Sequence, residues 1–303
     1  MPGRLDEASC RSAPHGRGAK LGKGRAGLFK GVADRPRGIQ VTHIGPIRVW
    51  QWPNLLGLDA AVIAVCWAAF FAVGREAAAA PGWAAYTVLG LSVWLTYMAD
   101  RLLDAAAQSM CALLAQRHRF ARKYQALLLR VWLAVLVING LIAFQALSEA
   151  QLQRGFVLFL VCLIYTLLNR LLSKYYFPKE LFVAVIFTAG TQVFQVPPAL
   201  DSAVIALGLL CLVNCLMIAD QEQEVDALLQ VRSAITHVPS PGIGLLLAII
   251  LVFELITGPR GAILISAAAL AILFAGRHRI PAEIYRVLCD SARLLGPILF
   301  FLL

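Results

Sequence analysis

Apolar runs divide most of this chain, falling at about 54–74, 81–99, 126–147, 155–172, 180–197, 201–219, 242–257, 261–276 and 284–303. Most approach the roughly 20 residues that an α-helix needs to cross a bilayer. Proline, glycine and charged clusters punctuate them, as in PPALD at 197–201 and TGPRG at 257–261. The chain is 60% hydrophobic and 15% charged, with a mean hydropathy of +0.74, whereas soluble domains sit nearer half apolar. That balance excludes an ordinary soluble domain. It predicts an all-α fold: a polytopic integral membrane helical bundle of about nine transmembrane helices, occupying residues 46–303 behind a tail at 1–45.

The net charge of +10 is concentrated in that tail, where the first fifty residues carry ten Lys and Arg against three acids. A basic, Gly-rich and aperiodic segment of this kind is expected to be disordered and cytoplasmic, and to meet anionic lipid. It lacks the short hydrophobic core of a cleavable signal. No aromatic-interleaved basic fold accompanies it, which argues against nucleic acid.

Cytoplasmic loops collect Lys and Arg. With the N-terminus inside, the inner loops hold Arg101, Arg117, Arg119, Arg122 and Lys123, then Arg170, Lys174 and Lys179, then Arg232, then Arg277 and Arg279. The outer loops hold only Arg75, Arg154 and Arg260. The expected location is therefore a multi-pass position in a membrane such as the bacterial inner membrane, with the N-terminus on the cytoplasmic side.

Acidic residues break the apolar pattern at two places on that inner face. YMADRLLD ends the second run with Asp100 and Asp104 four residues apart. On a helix that spacing is about 40° in direction and about 6 Å in height, so both carboxylates face one way. NCLMIADQEQEVD ends the sixth run, where Glu222 and Asp226 repeat the spacing and Asp220 with Glu224 form a pair on roughly the opposite face. Solvation, or pairing with neighbouring arginines, explains one such cluster. Two on the same face favour a shared cation. Oxygen-only ligands point to Mg²⁺, which completes its octahedron with water and substrate phosphates. Arg117, Arg119, Arg170 and Lys174 are then placed to meet a diphosphate, although the positive-inside bias also accounts for each alone.

These motifs resemble those of the UbiA-type membrane prenyltransferases. That superfamily carries N-D-x-x-D-R-x-x-D after its second span and Y-A-x-x-D-x-E-x-D after its sixth. TYMADRLLD keeps Asp100, Arg101 and Asp104, with Thr96-Tyr97 in place of Asn-Asp. IADQEQEVD keeps Ala219, Glu224 and Asp226, with Ile218 for Tyr and Glu222 for Asp. YTLLNR, ending in Arg170, is similar to the Tyr-x-x-x-Lys-Arg stretch of the fourth span. The resemblance covers about residues 50–303. It implies that Mg²⁺, held by Asp100, Asp104, Glu222 and Asp226, binds the diphosphate of an isoprenoid donor, and that a prenyl group passes to a lipophilic or aromatic acceptor within the membrane. Arg117, Arg119, Arg170 and Lys174 would contact the diphosphate.

Three further residues are candidates. Asn214 either orients a ligand or hydrogen-bonds between helices. Asp290 lies within the last run, a functional position by default, unless it pairs with Arg286 or Arg293. Asp220 shares the second acidic stretch. Two other readings stay open: a catalytically silent relative acting as a lipid-binding scaffold, which the changes at Thr96, Tyr97 and Glu222 favour, and a transporter, which would place ionisable groups near mid-membrane. The seven cysteines lie mostly in apolar runs, and Cys211 with Cys215 has no histidine nearby for a metal. No P-loop or nucleophile elbow occurs.

Overall fold

A computed structural model describes residues 47–74, 81–107, 116–172, 178–195, 198, 200–228, 240–257 and 261–303. The basic tail and Lys174 lie outside the described residues, as do the side chains of Glu224 and Asp226. Everything described is helix or short connection.

The helices are α1 (Trp52–Leu56), α2 (Leu58–Gly74), α3 (Trp83–Ala107), α4 (Gln116–Lys123), α5 (Gln125–Ala146), α6 (Glu149–Leu172), α7 (Lys179–Gln192), α8 (Ser202–Leu228), α9 (Ser240–Thr257), α10 (Gly261–Gly276) and α11 (Ala282–Leu302). Each apolar run thus contains a long helix. Among the described residues, four helices are long and apolar enough to cross a membrane: α5, α6, the stretch Ser202–Gln223 of α8, and Gly261–Arg279. A fifth span forms if the bent pair Val49–Leu56 and Leu58–Val73 counts as one. Helix α3 falls short by composition, because its last two turns carry Asp100, Arg101 and Asp104.

The bend of 76° between α1 and α2 has a local cause. Gly57 takes φ 68°, a left-handed geometry that only glycine adopts at low cost, and so ends α1. The carbonyls freed there are taken by Arg101, whose Nη1 donates to the oxygens of Asn54 at 2.5 Å and Leu55 at 2.8 Å. A guanidinium can span two carbonyls in this way.

The main core joins α2, α7, α8, α9, α10 and α11 around Trp67, Phe70, Phe71, Leu207, Leu210, Ile250 and Tyr285. Helix α11 fits it despite Pro297, which cannot donate to the Arg293 carbonyl four residues back. Trp67 Nε1 at 3.1 Å and Ser266 Oγ at 3.3 Å donate to that carbonyl instead. Next to the proline, Gly296 lets α10 press against α11: an added Cβ would lie 1.9 Å from the Ala262 carbonyl oxygen.

Helices α5 and α6 stand apart from this core. Helix α6 buries none of its side chains, and Phe156, Val157, Phe159, Leu163, Ile164 and Leu167 are all at least half exposed. In water such a face would be untenable over 24 residues. Apolar helices exposed in this manner suit a hydrocarbon surround.

Candidate functional site

A cavity of about 220 Å³ runs between α3, α6 and α7. Its walls are mostly apolar or aromatic, including Leu158, Phe159, Ile186 and Phe187. Along α3 they run from Leu89 through Ser92, Thr96 and Tyr97 to Asp100, eleven residues or about 16 Å. The cavity therefore has one acidic end and one apolar end.

The acidic end sits where α3 leaves the apolar layer. Asp100 is exposed there and lines the cavity. Asp104, one turn on, is half-buried, with Asp100, Arg117, Arg170 and Lys179 within electrostatic reach. Helix α4 folds back to present Arg117, which lies 3.6 Å from Glu222 on α8 and within electrostatic reach of Asp100 and Asp104. Glu222 also pairs with Arg286 on α11. Asp100, Asp104 and Glu222 thus lie at one end of the bundle.

What stands between them in the described residues is an arginine. Arg117 lies 3.6 Å from Glu222 and within electrostatic reach of the Asp100–Asp104 pair. No group of three or more His, Cys, Asp or Glu side chains converges on a metal-sized site among the described residues. Asp226 belongs to the last turns of α8, and its side chain is outside the described residues, as is all of Lys174. Asp100 and Asp104 offer hard oxygen donors one turn apart, a set that fits Mg²⁺ completed by water and phosphate. Glu222, held by two arginines, is a weaker ligand in this arrangement.

The other candidates separate clearly. Arg119 lies two residues beyond Arg117 on α4, and side chains two apart leave a helix in nearly opposite directions, so the pair cannot act as one clamp. Arg170 is in the last turn of α6, below the cavity-lining Tyr165 and Thr166. Asp220 faces away from the cavity, near Arg277 at 3.6 Å and accepting from Ser240 Oγ and Gln223 Nε2 at 3.1 Å each. Asp290 pairs with Arg293 at 2.6 Å and accepts from Asn214 Nδ2 at 3.3 Å. Asn214 therefore links α8 to α11.

Two contributors escaped sequence reasoning. Arg286 and Arg293 were both in helical reach of Asp290; Arg293 takes it, and Arg286 reaches across to Glu222 on another helix. Tyr97, which stands where the resembling motif has aspartate, supplies a cavity wall beside Tyr165. Helical spacing signals neither of these, because both depend on which helix packs opposite.

No family model, no curated protein and no solved structure matches this chain.

Proposed function

We propose that the chain is a membrane prenyltransferase of the UbiA type, moving an isoprenoid group from a diphosphate donor to a lipophilic or aromatic acceptor. The observation that carries it is the cavity: an apolar chamber in a bundle with a lipid-suited exterior, ending on two aspartates with arginines around them. An amphiphile with an apolar tail and an anionic head matches both ends. We read α2, α3, α5, α6, α7, α8, α9, α10 and α11 as the spans of a nine-helix bundle whose acidic end faces the cytoplasm.

In such a transfer the donor's carbon–oxygen bond breaks, the diphosphate leaves with the electron pair, and the acceptor captures the allylic cation and then gives up a proton. Mg²⁺ would supply Lewis-acid neutralisation of the diphosphate, held by Asp100 and Asp104. Glu222 and Asp226 would complete or orient that end, and Arg117 and Arg170 would balance charge on the leaving group. Tyr97, Tyr165 and Phe187 line the cavity, an aromatic environment attractive to positive charge. The apolar walls exclude the water that would otherwise quench it.

A second reading has its own support. Arg117 and Arg286 already neutralise Glu222, which is what a catalytically silent amphiphile-binding scaffold would need without metal. Binding of a non-hydrolysable prenyl diphosphate to the purified protein, with and without Mg²⁺, separates the two. A transferase should need the metal and lose binding in Asp100→Asn/Asp226→Asn. Binding that ignores both would leave the scaffold, and no binding at all would sink both readings.

A further inference from the structure

The apolar end of the cavity is closed by a built wall rather than by loose chain. Helix α7 stops at Gln192, and the turn that follows puts Phe194 across the cavity between Leu89 of α3 and Gly155 of α6. Two side chains of α6 and one of the turn itself pin it. Gln151 Nε2 donates to the Phe194 carbonyl at 3.3 Å, Arg154 Nη1 donates to the Gln195 carbonyl at 2.6 Å, and Gln195 Nε2 donates to the Ala68 carbonyl of α2 at 2.8 Å. Phe194 itself is buried with Ala68, Ala85, Val88, Leu89 and Val193.

A second, smaller void of about 10 Å³ lies on the far side of this wall, and Leu89, Gly190 and Phe194 line both. The Leu89 and Phe194 side chains are therefore a partition between two spaces. On the near side Gly155 leaves room, since a Cβ there would sit 3.6 Å from the Phe194 ring, in ordinary contact, with anything larger projecting into the cavity.

The size of the chamber has a consequence. A cavity of about 150 Å³ takes one benzene. The 220 Å³ here is about half as large again, room for about nine carbon atoms in the same measure. We propose that Phe194, with Leu89 and Gly155, is a stop that sets the length of the apolar tail, and that the chamber takes a linear chain of about geranyl size in preference to longer ones. This rests on the prenyl diphosphate reading for the identity of the head group, though the stop itself acts on any linear tail.

The test compares full-length protein in lipid nanodiscs as wild type, Phe194→Ala and Gly155→Leu. Non-hydrolysable geranyl, farnesyl and geranylgeranyl diphosphates are titrated with Mg²⁺, and a series of linear alcohols without any phosphate is read by thermal shift. Wild type should prefer geranyl over geranylgeranyl by about tenfold or more, the scale on which an apolar pocket discriminates chain size. Phe194→Ala joins the two voids and should move the preference to farnesyl or beyond. Gly155→Leu should weaken every chain and move the alcohol cut-off shorter. Gly155→Ala, whose Cβ meets no clash, controls for folding. If the diphosphates bind but all variants keep one chain-length order, the stop is overturned. If the diphosphates fail to bind while the alcohol cut-off still shifts between variants, the stop stands and the prenyl diphosphate reading falls.

Discussion

Arg101 gives the clearest consequence at the scale of a residue. It belongs to the resembling motif, yet its guanidinium is spent on the carbonyls of Asn54 and Leu55. Arg101→Ala removes both bonds; the Asn54 carbonyl keeps the Gly57 amide at 3.2 Å, while the Leu55 carbonyl loses its Arg101 donor at a cost of about 1–3 kcal/mol. Arg101→Lys should recover only part of that in chemical denaturation, because its side chain is one atom shorter and its ammonium is more strongly hydrated. The charge of Arg101 was legible in the sequence, and its partners were not, since they depend on the bend at Gly57.

At the scale of elements, the sharpest test is the α10–α11 contact. Gly296→Ala places a methyl group 1.9 Å from a backbone oxygen that cannot rotate away. The helices must separate, and overpacking of this kind costs about 1–3 kcal/mol or more. The variant should show reduced yield and an earlier melting transition, whereas Gly261→Ala, with open space around it, should not. The start of α6 is specified locally. Ser148 and Gln151 form a capping box, with Ser148 N donating to Gln151 Oε1 at 3.1 Å and Gln151 N to Ser148 Oγ at 3.4 Å. Ser148→Ala should cost about 1 kcal/mol. That box could be read directly from Ser-x-x-Gln, as Asp201 ahead of α8 can be, its carboxylate accepting from Val204 N at 3.0 Å. Pro297 could not, because its orphaned carbonyl is rescued from α2 and α10.

For the whole molecule, the exposed faces of α5 and α6 make the strongest claim. If these faces meet lipid, cysteine placed at Leu163 or Val157 in a background without native cysteines should resist a membrane-impermeant thiol reagent. Cysteine at Arg279, beyond α10, should react from the acidic side of the bundle. Reaction at Leu163 from the aqueous phase would argue that α6 packs against protein or water instead. The cavity depends on the same arrangement, since α6 is its outer wall while contributing nothing to the buried core.

The sequence by itself determined the helical architecture, the positions of the long helices, and the carboxylate spacing of two acidic motifs. Those follow from local rules: apolar runs of bilayer length, punctuating Pro and Gly, and the four-residue repeat of carboxylates. Only the tertiary structure decided which cation lies between the motifs. Arg117 reaches Glu222 because α4 folds back across the bundle end, and Arg286 joins it because α11 packs against α8. It decided the cavity as well, where Tyr97, Tyr165 and Phe194 become walls because α3, α6 and the turn after α7, distant in sequence, border one space. Charge and periodicity are properties of one segment. A partner, or an empty space, is a property of several segments packed together.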